Sequence, residues 1–262
     1  MSNIRQAIWV EVLKVRRSKM PLLTALGFAL APLAGGFFMV IMKDPDRARQ
    51  LGMISTKAQI IAGSADWTTY LGILAQATAI GGLILFSFIA SWVFGREYAE
   101  QTVKDLLALP TPRSTIVLAK FIVIILWASL LTLVIYLIGL GIGAVVTLPP
   151  APVATFMQGT TTVLVAAALT IGLITPVAFF ASVGRGYLPP MGFAILTLIL
   201  AQIVAATGWG EYFPWSVPAL LTGAAGPEYA ALSMVSYLLV MLTSLVGLVG
   251  TFGWWSVADQ VG

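Results

Sequence analysis

Apolar residues run without interruption along most of this chain, rather than alternating with polar ones, and the runs are about 20 residues long. A helix rising 1.5 Å per residue needs about 20 apolar residues to cross a hydrocarbon layer of roughly 30 Å, whereas a barrel strand needs about 10 alternating ones. Six stretches qualify, at 21–42, 71–94, 116–138, 160–181, 188–207 and 232–254, and Lys120 is the one charge inside them. The pattern predicts an all-α, polytopic membrane fold with six transmembrane helices. The middle boundary is the hardest to draw, because 121–184 holds no charged residue. Pro149, Pro150 and Pro152 divide it into two helices, and Gly139, Gly141 and Gly143 before them predict a loosened last turn. Gly139 and Gly143 also form a Gly-x-x-x-Gly pair, which either lets two helices approach closely or is ordinary glycine-rich membrane sequence.

Composition narrows the class. Of 262 residues 59% are apolar and only 9% charged, against about 25% charged in soluble domains. The mean hydropathy is +0.98. No water-soluble core hides that much apolar surface, so soluble enzymes and nucleic-acid-binding proteins are excluded despite a net charge of +4. The absence of cysteine and histidine removes disulfides, Cys or His zinc sites, thiol catalysis and imidazole proton shuttling. The basic excess instead reports orientation. With the N-terminus inside, the inner segments hold Arg5, Lys14, Arg16, Arg17, Lys19, Arg96, Lys104, Arg113, Lys120 and Arg185, and the outer ones only Lys43, Arg47, Arg49 and Lys57. The positive-inside rule therefore predicts a multi-pass protein of the cell (inner or plasma) membrane with both termini cytoplasmic, as an even number of spans requires. On this reading Arg5 and Val257 face the cytoplasm while Ile54 and Pro227 face outward. The first apolar run is too long for a signal-peptide core and is expected to stay as an anchor.

The segments between the spans, 43–70, 95–115 and 208–231, are too short to fold alone, so the chain is expected to be one six-helix transmembrane domain over 1–262. No lysine follows a glycine, which rules out a Gly-x-x-x-x-Gly-Lys phosphate-binding loop. If ATP is used, another chain binds it. The most informative segment is 95–109. On a helix, Tyr98, Ala99, Thr102, Val103, Leu106, Leu107 and Leu109 share one half, and Glu97, Glu100, Gln101, Lys104 and Asp105 share the other. Pro110 ends that helix. Such a helix either rests on headgroups or contacts a partner protein. Its acidic polar face is the reason to prefer the partner.

The run Phe94-Gly-Arg-Glu97, then Gln101-Thr102, Leu106-Leu107, Leu109-Pro110 and Arg113, with Lys120 opening the third span, resembles the permease subunits of type-2 ABC exporters of the bacitracin and multidrug type. The likeness covers the six-span layout and roughly 27 residues of motif. One departure is Gln101-Thr102, where the family often has Gly-Thr. The resemblance implies that 1–20 contains an N-terminal interfacial helix, although Glu11 interrupts the Ile4, Ile8, Val12 and Val15 stripe and an ordinary basic flank fits equally well. It implies that 95–115 is a cytoplasmic coupling helix meeting an ATPase through Glu97, Glu100, Lys104, Asp105 and Arg113. It also implies that 208–231 is an outer re-entrant segment, in which Glu211, Phe213 and Trp215 are candidates for an outer gate; an aromatic belt at the interface is compatible with the same residues. Asp44-Pro45-Asp46 is a plausible start for a helix on the outer surface.

The expected function is the membrane-spanning permease subunit of an ATP-driven exporter for an amphiphilic drug, peptide or lipid-linked cargo. The chain itself is expected to be no enzyme and to bind no cofactor. ATP and magnesium would sit on a separate ABC ATPase subunit, two copies of which serve a homodimer in membrane lipid, with no nucleic acid involved. Gln76, Phe86, Phe88 and Gln202 are the candidate path residues, offering apolar area with few hydrogen-bonding groups. The alternatives are a secondary transporter, disfavoured because the six stretches contain no Asp or Glu, and a membrane-embedded scaffold or enzyme.

Overall fold

The computed structural model describes residues 2–44, 46, 52, 64–108, 110–224, 226 and 232–257. Among them no strand occurs, and six helices are long and apolar enough to cross a membrane. In chain order the elements are α1 (Ser2–Arg16), α2 (Met20–Lys43), α3 (Trp67–Ala99), α4 (Val103–Leu107), α5 (Arg113–Val145), α6 (Val153–Gly172), α7 (Thr175–Val183), α8 (Leu188–Ala206), α9 (Val217–Leu221) and α10 (Met234–Val257). The spans are α2, α3, α5, α6 continued by α7, α8 and α10. Positions 54 and 227, Leu109 and Pro45, on which sequence expectations fall, lie outside the described residues.

Helix ends follow from local chemistry. The Asp66 carboxylate accepts the Thr69 N–H at 2.8 Å and opens α3, satisfying one of the amides that a first turn leaves unpaired. Pro112 and Pro152 immediately precede α5 and α6, as the proline spacing required. Two corrections apply to the expected elements. Helix α5 continues through Gly139, Gly141 and Gly143 to Val145 without loosening. The physical reason is packing: a Cβ on Gly139 would sit 2.5 Å from Leu74 Cδ1, and one on Gly143 would sit 2.4 Å from the Trp67 ring. The glycine pair is thus a contact face for α3. The second correction concerns 97–109, which is not one helix. Helix α3 ends at Ala99, where the Thr102 N–H donates to the Glu97 carbonyl at 2.9 Å and the Gln101 N–H to the Tyr98 carbonyl at 3.3 Å, with Gln101 at φ 58. This left-handed ending is the one glycine makes most easily. It turns the chain, and α4 follows as a separate short helix.

The bundle is aromatic near its α1 end. Phe94 meets Phe121 at 5.0 Å and Trp255 at 6.4 Å between ring centroids, while Trp92 lies edge-on to Trp127 at 5.9 Å. The Trp255 indole N–H donates to Ser182 Oγ at 2.9 Å, joining α10 to α7. The fourth span breaks at Leu173 and Ile174, and the break is held by α10. Thr175 Oγ1 donates to the Ser244 carbonyl at 2.6 Å, and Gly247 lies so close that a Cβ there would be 2.3 Å from the Pro176 nitrogen.

Candidate functional site

Four charged side chains from three elements converge at the end of the bundle that carries α1. Lys120, on the first turns of α5, is wholly buried. Its ammonium donates to Glu97 Oε1 at 2.7 Å, to the Val93 carbonyl at 2.7 Å and to Glu11 Oε2 at 3.3 Å. All three donors of the ammonium are thereby used. Lys14 donates to Glu11 Oε1 at 2.6 Å and to Glu97 Oε1 at 2.8 Å. Two carboxylates and two ammoniums make a neutral set, which is the condition under which charges tolerate burial. Burial works against the Lys14 ammonium, but Glu97 and Glu11 outweigh it and hold its pKa above the usual lysine value. Glu97 Oε2 is buried with no hydrogen-bond partner among the described residues.

The backbone around the cluster explains how it forms. The 94–97 run places Phe94 under the Lys120 ammonium, 5.8 Å from the ring centroid. Gly95 permits a close approach, since a Cβ there would lie 2.8 Å from the Gly186 carbonyl oxygen in the connection between α7 and α8. Arg96 turns outward, pairs with Glu100 at 2.9 Å and covers the Trp92 ring at 5.1 Å. Glu97 then points inward. The cluster therefore pins α1 to the junction of α3 and α5, beside the left-handed turn from which α4 hangs.

The five residues expected to meet an ATPase separate into two groups. Glu100, Lys104, Asp105 and Arg113 are exposed, with Val103 buried and Leu106 half-buried on the other side of α4. Arg113 also donates to the Trp255 carbonyl at 3.3 Å, tying the start of α5 to the end of α10. Glu97 is different, at 3% exposure, and its placement corrects the expectation of an outward-facing contact. The reason is Lys120, whose ammonium inside the bundle requires a carboxylate. Sequence reasoning read Glu11 as an interruption of an apolar stripe, Lys14 as one of the inner basic residues and Lys120 as the opening of the third span, and brought none of the three to a buried site. The signal was present: an acid inside an apolar stripe and a lysine inside an apolar span each demand a buried counter-charge.

The expected path residues do not gather. Phe86 is fully buried against Phe28, edge-on at 5.6 Å. Gln76 and Phe88 are half-buried on α3, and Gln202 is exposed on α8 among Ile199, Leu200 and Ile203. At the opposite end of the bundle, Glu211, Phe213 and Trp215 lie together between α8 and α9, with Phe213 and Trp215 at 5.5 Å and the Trp215 ring 5.6 Å from Phe193. Ser216 Oγ donates to the Gly210 and Phe213 carbonyls and closes this segment on itself. Val217 and Leu220 of α9 are buried, and Val217 shares an apolar cluster with Leu83, Leu173 and Val240.

Comparison with known proteins agrees with this architecture. The bacitracin transport permease protein BCRB of Bacillus licheniformis is 29% identical over 179 residues, which cover 68% of this chain and 85% of that protein. The ABC-2 family transporter protein pattern matches residues 7–201. The matched span includes all four residues of the buried charge cluster and the turn into α4. A six-helix membrane chain whose match extends over most of its length belongs to the ABC-2 transporter family, as a permease subunit.

Proposed function

We propose that this chain forms the translocation path of an ATP-driven exporter and takes its energy from a separate ABC ATPase chain. Two copies of the permease and two of the ATPase make the working unit, with both termini of the permease in the cytoplasm of a cell (inner or plasma) membrane. The observation that carries this reading is the fixed junction of α1, α3 and α5. Its neutral cluster of Glu11, Lys14, Glu97 and Lys120, buried except for the part-exposed Lys14, sits where α3 ends, and the turn there leads into α4, whose Lys104 and Asp105 are exposed. A push on α4 would reach three elements at once, because the ion pairs and the Schellman-type turn leave little slack between them. Glu100, Lys104, Asp105 and Arg113 are the docking groups, and Glu97 is a positioning residue behind them. ATP and magnesium belong to the partner.

Similarity to a bacitracin transport permease supports an amphiphilic drug, peptide or lipid-linked cargo. The segment at 208–231 acts as an outer re-entrant element, with Glu211, Phe213 and Trp215 at its gate. Gln202, a polar side chain exposed among aliphatic ones, is where the facing copy and the cargo path are expected.

Separate variants of the two faces of α4 test the coupling. Lys104→Glu combined with Asp105→Lys should leave the protein inserted and of unchanged size while lowering ATPase co-purification and cargo export, because interface charges set docking register and association rate. Leu106→Asp should disturb assembly of the permease itself, since it places a charge on the packed side. Normal ATPase binding and export by the double variant would defeat the reading.

A further inference from the structure

We propose that the groove between α1, α2 and α5 binds one anionic phospholipid, with the phosphate at Arg16 and an acyl chain lying along α2 and α5. The groove has a volume of about 480 Å³. That is within the range of ligand sites and far above the roughly 30 Å³ of a water. Its walls are Leu22 and Ala25 on one side and Leu126, Leu130 and Val134 on the other, and Trp127 forms a floor that is only 7% exposed. The floor is stiff, because Trp127 is locked edge-on against Trp92. Aliphatic walls over an immobile ring suit a hydrocarbon chain.

One end of the groove is cationic. Arg16 lines it beside Ser18, and the exposed Arg17 and Lys19 stand next to it. Among the described residues Arg16 has no carboxylate within ion-pair distance. The one acid of α1, Glu11, is already committed to Lys14 and Lys120. The groove therefore joins an acyl-sized apolar trough to an unneutralised guanidinium at the end of the bundle where headgroups lie, and no acidic residue lines it. A guanidinium presents a planar fork that matches phosphate oxygens. A second copy of the chain complements this end poorly, because a two-fold contact here would bring Arg16, Arg17 and Lys19 toward their own equivalents.

The chain purified in detergent and transferred to nanodiscs holding equal parts of phosphatidylglycerol and phosphatidylcholine supplies the test, with retained lipid counted by native mass spectrometry. The protein should retain one phosphatidylglycerol in preference to phosphatidylcholine by a factor on the order of five, the preference that one cation at a membrane surface confers. Arg16→Gln should bring the two lipids to parity, and Arg16→Lys should restore the preference. Ala25→Phe, which fills the trough, should lower retention of both. Equal retention by the unaltered chain and by Arg16→Gln would overturn the proposal. So would an undiminished phosphatidylglycerol preference in Ala25→Phe, which would mean a basic surface without a site. A smaller oligomer with unchanged lipid in that variant would instead assign the groove to contact between copies. Should Ala25→Phe not insert, the Arg16 pair decides alone, because among the described residues Arg16 has no ion pair to lose.

Discussion

Lys120 is the residue whose surroundings differ most from what its position in the chain implies. A lysine two turns into an apolar span looks like a boundary; in the folded chain it is wholly buried, and its ammonium is saturated by Glu97, Glu11 and the Val93 carbonyl. Removing one member of such a set strands the others. Lys120→Met should destabilise the chain by about 3–5 kcal/mol, the usual cost of leaving a buried charge uncompensated. Because the loss comes from orphaned Glu97 rather than from absent attraction, Glu97→Gln combined with Lys120→Met should cost clearly less than the two single changes added together. Thermal unfolding of the three variants in one detergent measures this. Additive losses would mean that the two side chains do not depend on each other. Legibility at this scale was partial: the charges stood out, but their pairing joins residues 83 and 109 positions apart, and no local pattern encodes that.

At the scale of elements the ends of helices were decided by short-range chemistry. Asp66 caps α3 because its carboxylate reaches back to the Thr69 amide, and the Ser64 hydroxyl donates to the same side chain. Burial by itself would raise the Asp66 carboxyl, yet these donors hold its pKa below the usual 3.8. A carboxylate whose folded pKa is depressed adds stability above its unfolded pKa, and that stability disappears as pH falls through the lower folded value. Asp66→Ala should therefore cost about 1 kcal/mol at neutral pH, and the gap between variant and parent should close only below pH 3.8. Melting curves across an acid series report it; a gap that closes near neutrality would contradict the capping account. The break between α3 and α4 follows similar rules, but it was not foreseen, because the position that turns left-handed is Gln101 rather than glycine. Amphipathicity carried across the break and masked it. For Gly139 and Gly143 close approach was one of two open readings, and what decides it, the contact with Leu74 and Trp67, lies on another helix.

For the whole molecule, six spans return the C-terminal helix to the end where α1 begins, and the wide preponderance of basic residues lies in the segments at that end. The lack of native cysteine makes the orientation directly measurable. In intact cells an impermeant thiol reagent should modify Ile54→Cys and Pro227→Cys and spare Arg5→Cys and Val257→Cys; the reverse pattern would invert the topology. The contacts at the two ends of the molecule differ in kind. Ion pairs and tilted or edge-on ring contacts join α1, α3, α5 and α10 at one end, while at the other α9 presses Val217 and Leu220 among the apolar side chains of its neighbours.

The membrane class, the number of spans and their approximate limits were determined by the sequence alone. Hydrocarbon thickness and the behaviour of proline act on neighbouring residues and leave their mark locally. What the tertiary structure decided is which charges face inward. Glu11, Lys14, Glu97 and Lys120 are individually ordinary residues of helix ends, and only the juxtaposition of α1, α3 and α5 turns them into one neutral buried set. The energy that orients them depends on the distance between groups in space and on exclusion of water, neither of which is a property of order along the chain.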